Sequence, residues 1–438
     1  MRRPVAAPHA ARFLAAAVAA ALVVALCSLL SACAPVPHLT TEQKLADFDY
    51  LFATFRDNHP FLFLKARVEG YDWLAHEAEF REAIRQTKDN AEFAKAIWRI
   101  VSLVGNAHTA VVNGAYVSAA AGASGPWSDA AARTTVRIAD YWDRLSWPSQ
   151  ATAIVHAIYS GGEYYVSKSS IAGLSAGARL VAVDGVPIHD YIPSLRGTRY
   201  LSWDPLRRRL YAMRLSLFAG QQETVSAENR VGAVDTFPVQ GERPRGYTYF
   251  PVTPDGAVIV TRTLGAGQVG YVHVRSMTKD EADKVALRAF FEQVKDLPAL
   301  IIDIRGNPGG STPGWKEHIV GQLAAEPISV TVGMAHRPAQ LAQSCVRTIF
   351  GEGRPWVSAE DLVGRNPLAK ANLPPELLTD DFSEIMLYEL KVSPAPDSVR
   401  YQGKIFLLVD DVVYSAAEQF AVFAKASGWA TVVGSCTG

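Results

Sequence analysis

Lys404–Gly434 reads KIFLLVDDVVYSAAEQFAVFAKASGWATVVG, and the fold turns on how this stretch is parsed. Ile405–Val409 is a short apolar run, the pattern of a buried strand. Asp410 and Asp411 make a turn. Ser415-Ala416-Ala417-Glu418 then opens an apolar helix through Phe420, Ala421, Phe423 and Ala424. Gly428 ends it, and Ala430–Val433 returns as a second strand. Ser415 therefore stands at a strand-to-helix turn, where free N–H groups and the helix dipole converge. Such a place suits a nucleophile whose attack creates an oxyanion. Ser-x-x-Glu is equally the pattern of a capping box, with Ser415 at N-cap and Glu418 at N3. This stretch alone does not separate the two.

A second stretch bears on the choice. Leu300–Ile304 reads as another buried strand, followed by Arg305-Gly306-Asn307-Pro308-Gly309-Gly310-Ser311 and a helix. Three glycines around a proline make a rigid loop with unobstructed backbone N–H groups, where an ordinary turn needs one glycine. Phosphate binding would call for G-x-x-x-x-G-K-[ST], which is missing from this loop. An oxyanion-hole loop facing a serine at a helix start accounts for both stretches together.

On Asp303–Gly310, Tyr414–Glu418 and Val433-Gly434 the sequence resembles the tail-specific, or C-terminal processing, serine proteases, with the tricorn core protease among their relatives. Asn106-Ala107-His108-Thr109 and Gly270-Tyr271-Val272-His273-Val274 are weaker matches, and the resemblance runs from about Thr41 onward. It implies a mixed α/β (α+β) fold: a crotonase/ClpP-like ββα superhelix core, a helical N-terminal module and a PDZ-like insertion. The implied organisation is a signal peptide over 1–32, a tether over 33–40 and a helical module over 41–113. A linker and PDZ-like region then covers 114–240, and a peptidase core covers 255–438.

Composition narrows the classes. A chain of 438 residues with 49% hydrophobic residues builds more than one core. A formal net charge of +0 argues against nucleic acid as a partner. The N-terminus reads as a targeting segment. Arg2, Arg3 and Arg12 precede the nearly all-apolar Phe13–Leu30, and Leu30-Ser31-Ala32-Cys33 follows. This looks like a bacterial lipoprotein signal cleaved before Cys33, which would carry the lipid. A plain transmembrane anchor is the alternative. Ala34 in place of Asp points to the outer membrane, facing the periplasm. Residues 1–32 hold three of the 43 basic residues and none of the 43 acidic ones, so the mature chain would carry −3. Cys345 and Cys436 then remain, as one disulfide or as two free thiols. The spacings C-x-x-C and H-E-x-x-H do not occur, so neither a metal nor any other cofactor is expected.

Along the chain, Leu45, Phe48, Leu51, Phe52 and Phe55 recur at helical spacing up to Asn58-His59-Pro60, where His59 reads as a helix C-cap. Further helices are expected over Tyr71–Gln86 and Asn90–Leu103, and a strand over Ala110–Val112. Ala115–Ala132 reads as a loop, and Tyr159–Tyr164 as a hairpin turn. Gly173–Pro187 resembles part of a PDZ-like domain, with a strand ending in Asp184-Gly185. Arg207–Phe218 reads as a basic amphipathic helix and Pro238–Pro254 as a connector. Strands are expected over Val258–Thr263 and Gln268–Val274, and a helix over Asp280–Lys295. Pro327–Gln402 reads as an irregular excursion over the active-site face.

The chemistry this implies is acyl transfer from a peptide to water: a serine-type endopeptidase acting on peptide or protein substrates, held to the membrane only through its lipid. Ser415 attacks, and N–H groups at Gly309 or Gly310 and at Ala416 hold the oxyanion. The family's base is either a downstream lysine or an N-terminal histidine. His108, in a His-Thr pair where relatives carry Asp-Gly-His-Thr, is the candidate here. Lys425 stands ten residues along one helix, about 15 Å away, and does not qualify. The resemblance implies further chain after Gly438, where the third catalytic member would lie. A non-catalytic, lipid-anchored peptide-binding protein using the same cleft is the alternative. Acyl-CoA chemistry is disfavoured by the export signal.

Overall fold

The structure is a computed structural model. It describes residues 38–106, 108–112, 141–142, 144–145, 153–218, 223–239, 257–278, 280–350, 356–365, 373–379, 381–382 and 384–438. The signal segment, Cys33, the Ala115–Ala132 loop and most of the Pro238–Pro254 connector lie outside the described residues.

Four helices lead: α1 (Thr41–Asn58), α2 (Leu62–Glu69), α3 (Glu77–Arg85) and α4 (Asn90–Ser102). Thr40 caps α1 in a reciprocal capping box with Gln43, and His59 is the C-cap. Asp89 caps α4. The expected helix from Tyr71 is shorter, because Asp72 accepts from the Leu74 and Ala75 N–H groups and holds a 3₁₀ turn ahead of α3. Phe48, Phe52, Trp73, Phe80, Ile84, Phe93 and Ile100 close the core of this bundle. Ala110–Val112 is not a strand.

An antiparallel sheet follows, built from β1 (Ala153–Ser160), β2 (Glu163–Ser169), β3 (Arg179–Val183), β4 (Val186–Pro187), β7 (Arg214–Phe218), β8 (Thr224–Glu228) and β9 (Val234–Pro238). Its order is β7-β1-β2-β3-β8-β9, with β4 beside β3 and helix α5 (Ile188–Ser194) packed on it. Asp184 and Gly185 both take positive φ in the β3–β4 turn, as an Asp-Gly hairpin turn requires. The expected helix over Arg207–Phe218 is instead two strands, β6 (Arg209–Tyr211), paired with β5 (Ser202–Asp204), and β7. The reason is local. Asp204 Oδ1 accepts from the Leu206 and Arg207 N–H groups, and Arg208 takes φ +52, which reverses the chain. Leu215 and Leu217 are both buried at a spacing of two, the strand period.

The last sheet has the order β10-β11-β12-β16-β17: β10 (Ile259–Leu264), β11 (Val269–Val274), β12 (Ala299–Asp303), β16 (Lys404–Val409) and β17 (Thr431–Gly434). The β10–β11 pair is antiparallel and the rest are parallel. Crossovers bring α6 (Glu281–Val294), α7 (Thr312–Trp315) and later α10 (Ser415–Ser427) against it. Leu300, Ile302, Leu407, Phe291, Trp315, Phe420 and Phe423 make its core.

Pro327–Gln402 is not irregular. β13 (Ile328–His336) pairs antiparallel with β15 (Glu384–Val392) over nine positions, and β14 (Trp356–Val357) flanks β15. Between them lie α8 (Gln340–Phe350) and α9 (Ala359–Arg365). The partner strands are separated by almost fifty residues, so no local signal announces the pairing. Cys345 and Cys436 are both free, which corrects the disulfide reading.

Candidate active site

The site forms where two parallel strands end side by side. After β12, Asp303 is buried and accepts from Tyr271 Oη at 2.8 Å and from Arg305 Nε and Nη2 at 2.9 and 2.7 Å. Burial alone would raise its pKa, but the Arg305 and Tyr271 bonds prevail and hold it below the usual carboxylate value. Arg305 thereby starts the glycine loop. Asn307, 0% exposed, holds the loop's shape: its Nδ2 donates to Val274 O at 2.9 Å, and its Oδ1 accepts the Gly309 N–H at 2.8 Å.

The loop is then pressed against the serine. Gly309 has φ +101, and a Cβ there would lie 2.6 Å from Tyr414 O and 2.7 Å from Ser415 Cβ. Gly310 has φ +131, and a Cβ there would run into Met277 O. Only glycine meets both demands. Met277 binds the loop as a strand would, donating to Gly309 O and accepting from the Ser311 N–H.

After β16, Asp410 Oδ1 accepts the Gly306 and Val412 N–H groups, tying the two loops together. Tyr414 N donates to Asn307 O at 3.4 Å and Tyr414 is the N-cap of α10. The capping-box reading is therefore corrected. Ser415 is the first helical residue, exposed and at φ +54, a left-handed conformation that strains a residue with a Cβ. Glu418 does not cap; it accepts from Thr437 Oγ1 at 3.0 Å. The Ala417 and Glu418 N–H groups bond to Tyr414 O, whereas those of Gly310 and Ala416 have no protein acceptor among the described residues. Of the two glycines, Gly309 already spends its N–H on Asn307. Ser415 thus sits between two unengaged donors.

His108 is exposed, and its ring meets Tyr414 edge-on at 6.4 Å. No hydrogen bond joins it to Ser415 Oγ in this structure. Tyr200, from the middle sheet region, meets the same Tyr414 ring at 5.6 Å. The Glu418 carboxyl is pushed up by burial, partly offset by the Thr437 bond and by the His108 charge. The N-terminal module therefore does reach the core, with His108 and Glu418 in electrostatic range of each other.

Sequence reasoning passed over three residues here: Glu418, assigned to a cap; Asn307, an Asx turn hidden among glycines; and Asp411. Asp411 is 4% exposed, accepts from Ser202 Oγ at 3.1 Å and leaves Oδ1 without a partner. Burial first, and the neighbouring Asp410 second, push its carboxyl up to about 7. A cavity of about 790 Å³ lies beside the site, lined by Tyr159, Arg207, Arg214, Asp303, Asp410 and Cys436 among others; Ser415 does not line it. Among the described residues, no group of three or more His, Cys, Asp or Glu is placed to hold a metal.

The profile of peptidase family S41 matches residues 268–438. No curated protein matches the chain. Among solved structures, mature CPAF complexed with lactacystin is similar at 15% identity, covering 91% of this chain and 85% of that one, with a TM-score of 0.51. A serine-to-alanine mutant of CPAF gives 15%, 91%, 84% and 0.50. A looser likeness, at 15% identity and a TM-score of 0.36, covers 91% of this chain and 82% of the photosystem II D1 C-terminal processing protease. The profile spans the glycine loop and the serine-bearing helix together, and the CPAF likeness carries the fold across nearly the whole chain. Residues 268–438 therefore form a serine-type peptidase domain that matches family S41.

Proposed function

We propose that this serine peptidase is a lipid-anchored endopeptidase with Ser415 as nucleophile, His108 as base, and the Gly310 and Ala416 N–H groups as oxyanion hole. The observation that carries the reading is Ser415 held at φ +54 between two unengaged donors. Ser415 Oγ attacks the scissile carbonyl, and His108 takes its proton. The oxygen that becomes negative is received by the two N–H groups, each contributing about 3 kcal/mol to lowering the barrier. Collapse expels the leaving amine, protonated by His108, and leaves an acyl-enzyme that water hydrolyses by the same steps in reverse order. Glu418 would steady the imidazolium, since its carboxylate responds to the His108 charge. Gly309 acts by shape, letting the loop backbone touch the serine.

Lipidation at Cys33 and an outer-membrane position facing the periplasm belong to the same reading, and rest on the Leu30-Ser31-Ala32-Cys33 pattern. A second reading, peptide capture without cleavage, is favoured by one feature. The edge strand β9 is open, with Val234 56% exposed, and could take an extended peptide. A serine-reactive phosphonate separates the two. Stoichiometric adduct on Ser415, lost in Ser415→Ala, supports the peptidase; peptide binding with no adduct supports capture. For the anchor, Cys33→Ala should move the protein from the detergent phase to the aqueous phase, and unchanged partitioning would refute lipidation.

A further inference from the structure

His108 is exposed while Asn106 and Thr109 beside it are half-buried, and the His108 ring meets the edge of Tyr414. Polar tethers hold the loop that carries it. Phe61 N donates to His59 Nδ1 at 3.3 Å, so Nδ1 is the acceptor and Nε2 carries the proton. Nε2 faces Thr109 Oγ1 at 3.0 Å and donates to it. The Thr109 hydroxyl passes its own proton to Asn106 Oδ1 at 3.3 Å, and the same oxygen accepts the His108 N–H at 2.9 Å. A directed chain therefore runs from Phe61 through His59 and Thr109 to Asn106 Oδ1, which also receives the His108 N–H. Every donor in it has one acceptor, which a reversed tautomer would break at both ends. Lys65 adds a second strap, donating to Gly105 O at 2.7 Å while paired with Glu69, which Arg196 also holds.

The geometry points to His59 as a positioning residue that orients the His108 loop through Thr109, acting as the neutral Nε2–H tautomer. This goes beyond its part as a helix cap and rests on the reading of His108 as base. The tautomer is kept by the surroundings. His59 lies between the Phe55 and Phe61 rings at 5.6 and 5.9 Å, and Lys65 is the charged group facing it. Burial, helped by Lys65, pulls its pKa down to about 4, so it stays neutral wherever His108 must cycle its proton.

The test has a spectroscopic and a kinetic arm, both on the full chain. In ¹⁵N-labelled protein the His59 ring should show the Nε2–H tautomer, unchanged from pH 5.5 to 8. An Nδ1–H tautomer, or titration in that range, overturns the proposal. In peptide hydrolysis, Thr109→Val and His59→Leu should lower kcat about 10- to 100-fold with KM little changed, since sub-ångström misplacement of a base acts on the chemical step. Thr109→Ser, which keeps the hydroxyl, should restore kcat. Wild-type kcat in Thr109→Val overturns the proposal. His108→Ala keeps the two questions apart. Near-normal turnover there refutes His108 as base, whereas loss of turnover there with an unaffected Thr109→Val refutes only the positioning.

Discussion

Two loops meet at Tyr414, and they are held by opposite means. The serine side, residues 304–311 against 410–418, is fixed by steric contact: an Asn307 with no exposed surface, glycine backbones at van der Waals distance from Ser415, and two parallel strands ending in register. The histidine side, around an exposed His108, hangs on side-chain hydrogen bonds from His59 and Lys65, 50 and 40 residues before their acceptors in the chain. Steric contact tolerates no insertion and leaves one geometry. A chain of weak polar links leaves a loop that can be displaced and rebuilt, and each net link contributes only about 1 kcal/mol.

The sharpest test of that contrast is Gly309→Ala. The added methyl has nowhere to go between Tyr414 O and Ser415 Cβ, and φ +101 is strained for alanine. Phosphonate labelling of Ser415 should fall at least about 100-fold, with helical content by circular dichroism retained. Labelling at the wild-type rate would mean the loop is not sterically fixed.

Asp411→Asn asks whether the serine side stands alone, since Asp411 is bonded to Ser202 of the middle region. Unfolded, the carboxyl ionises near the ordinary aspartate value of 3.8; folded, it keeps its proton until about 7. The wild-type chain therefore loses stability from this group as pH rises from 4 to 7, by on the order of 4 kcal/mol, and then levels off. Asparagine keeps the acceptor for Ser202 and removes the titration. The variant's melting temperature should gain on the wild type across that window; parallel curves would show that Asp411 carries no such cost.

Asn307→Ala strands the Gly309 N–H and Val274 O, and should cost about 2–3 kcal/mol in urea unfolding. A cost below about 0.5 kcal/mol, within the range of ordinary surface substitutions, would contradict its role. The smallest effect is expected on the histidine side. Arg337, nearly buried, donates to the Arg56 and Asp57 carbonyls at the end of α1, pairs with Asp381 and covers the Phe63 ring. Arg337→Ala should lower stability by about 1–2 kcal/mol, and both kcat and phosphonate labelling of Ser415 only several-fold. A loss of labelling as large as that of Gly309→Ala would erase the distinction between the two sides.

Much of the serine side was legible in the residues. The β12 and β16 runs, the glycine loop and the start and stop of α10 all came out where the patterns put them. The role of Glu418 did not, because Ser-x-x-Glu has the same spacing whether the glutamate turns back to cap or forward to Thr437. Arg207–Phe218 misled because four leucine and methionine positions fit a helical stripe, while the Asp204 turn that reverses the chain lies just before it. The β13–β15 ladder left no local trace at all.

What the sequence determined by itself is what short range decides. Backbone at Asp184-Gly185 and Gly309-Gly310 has few permitted conformations, and an apolar run of five or six residues between turns has one way to be buried. Only the tertiary structure decided which N–H groups beside Ser415 stay unengaged among the described residues, that His59 reaches Thr109, and that Ser202 reaches Asp411. Those depend on partners brought together from distant parts of the chain, where a hydrogen bond exists or fails within a few tenths of an ångström.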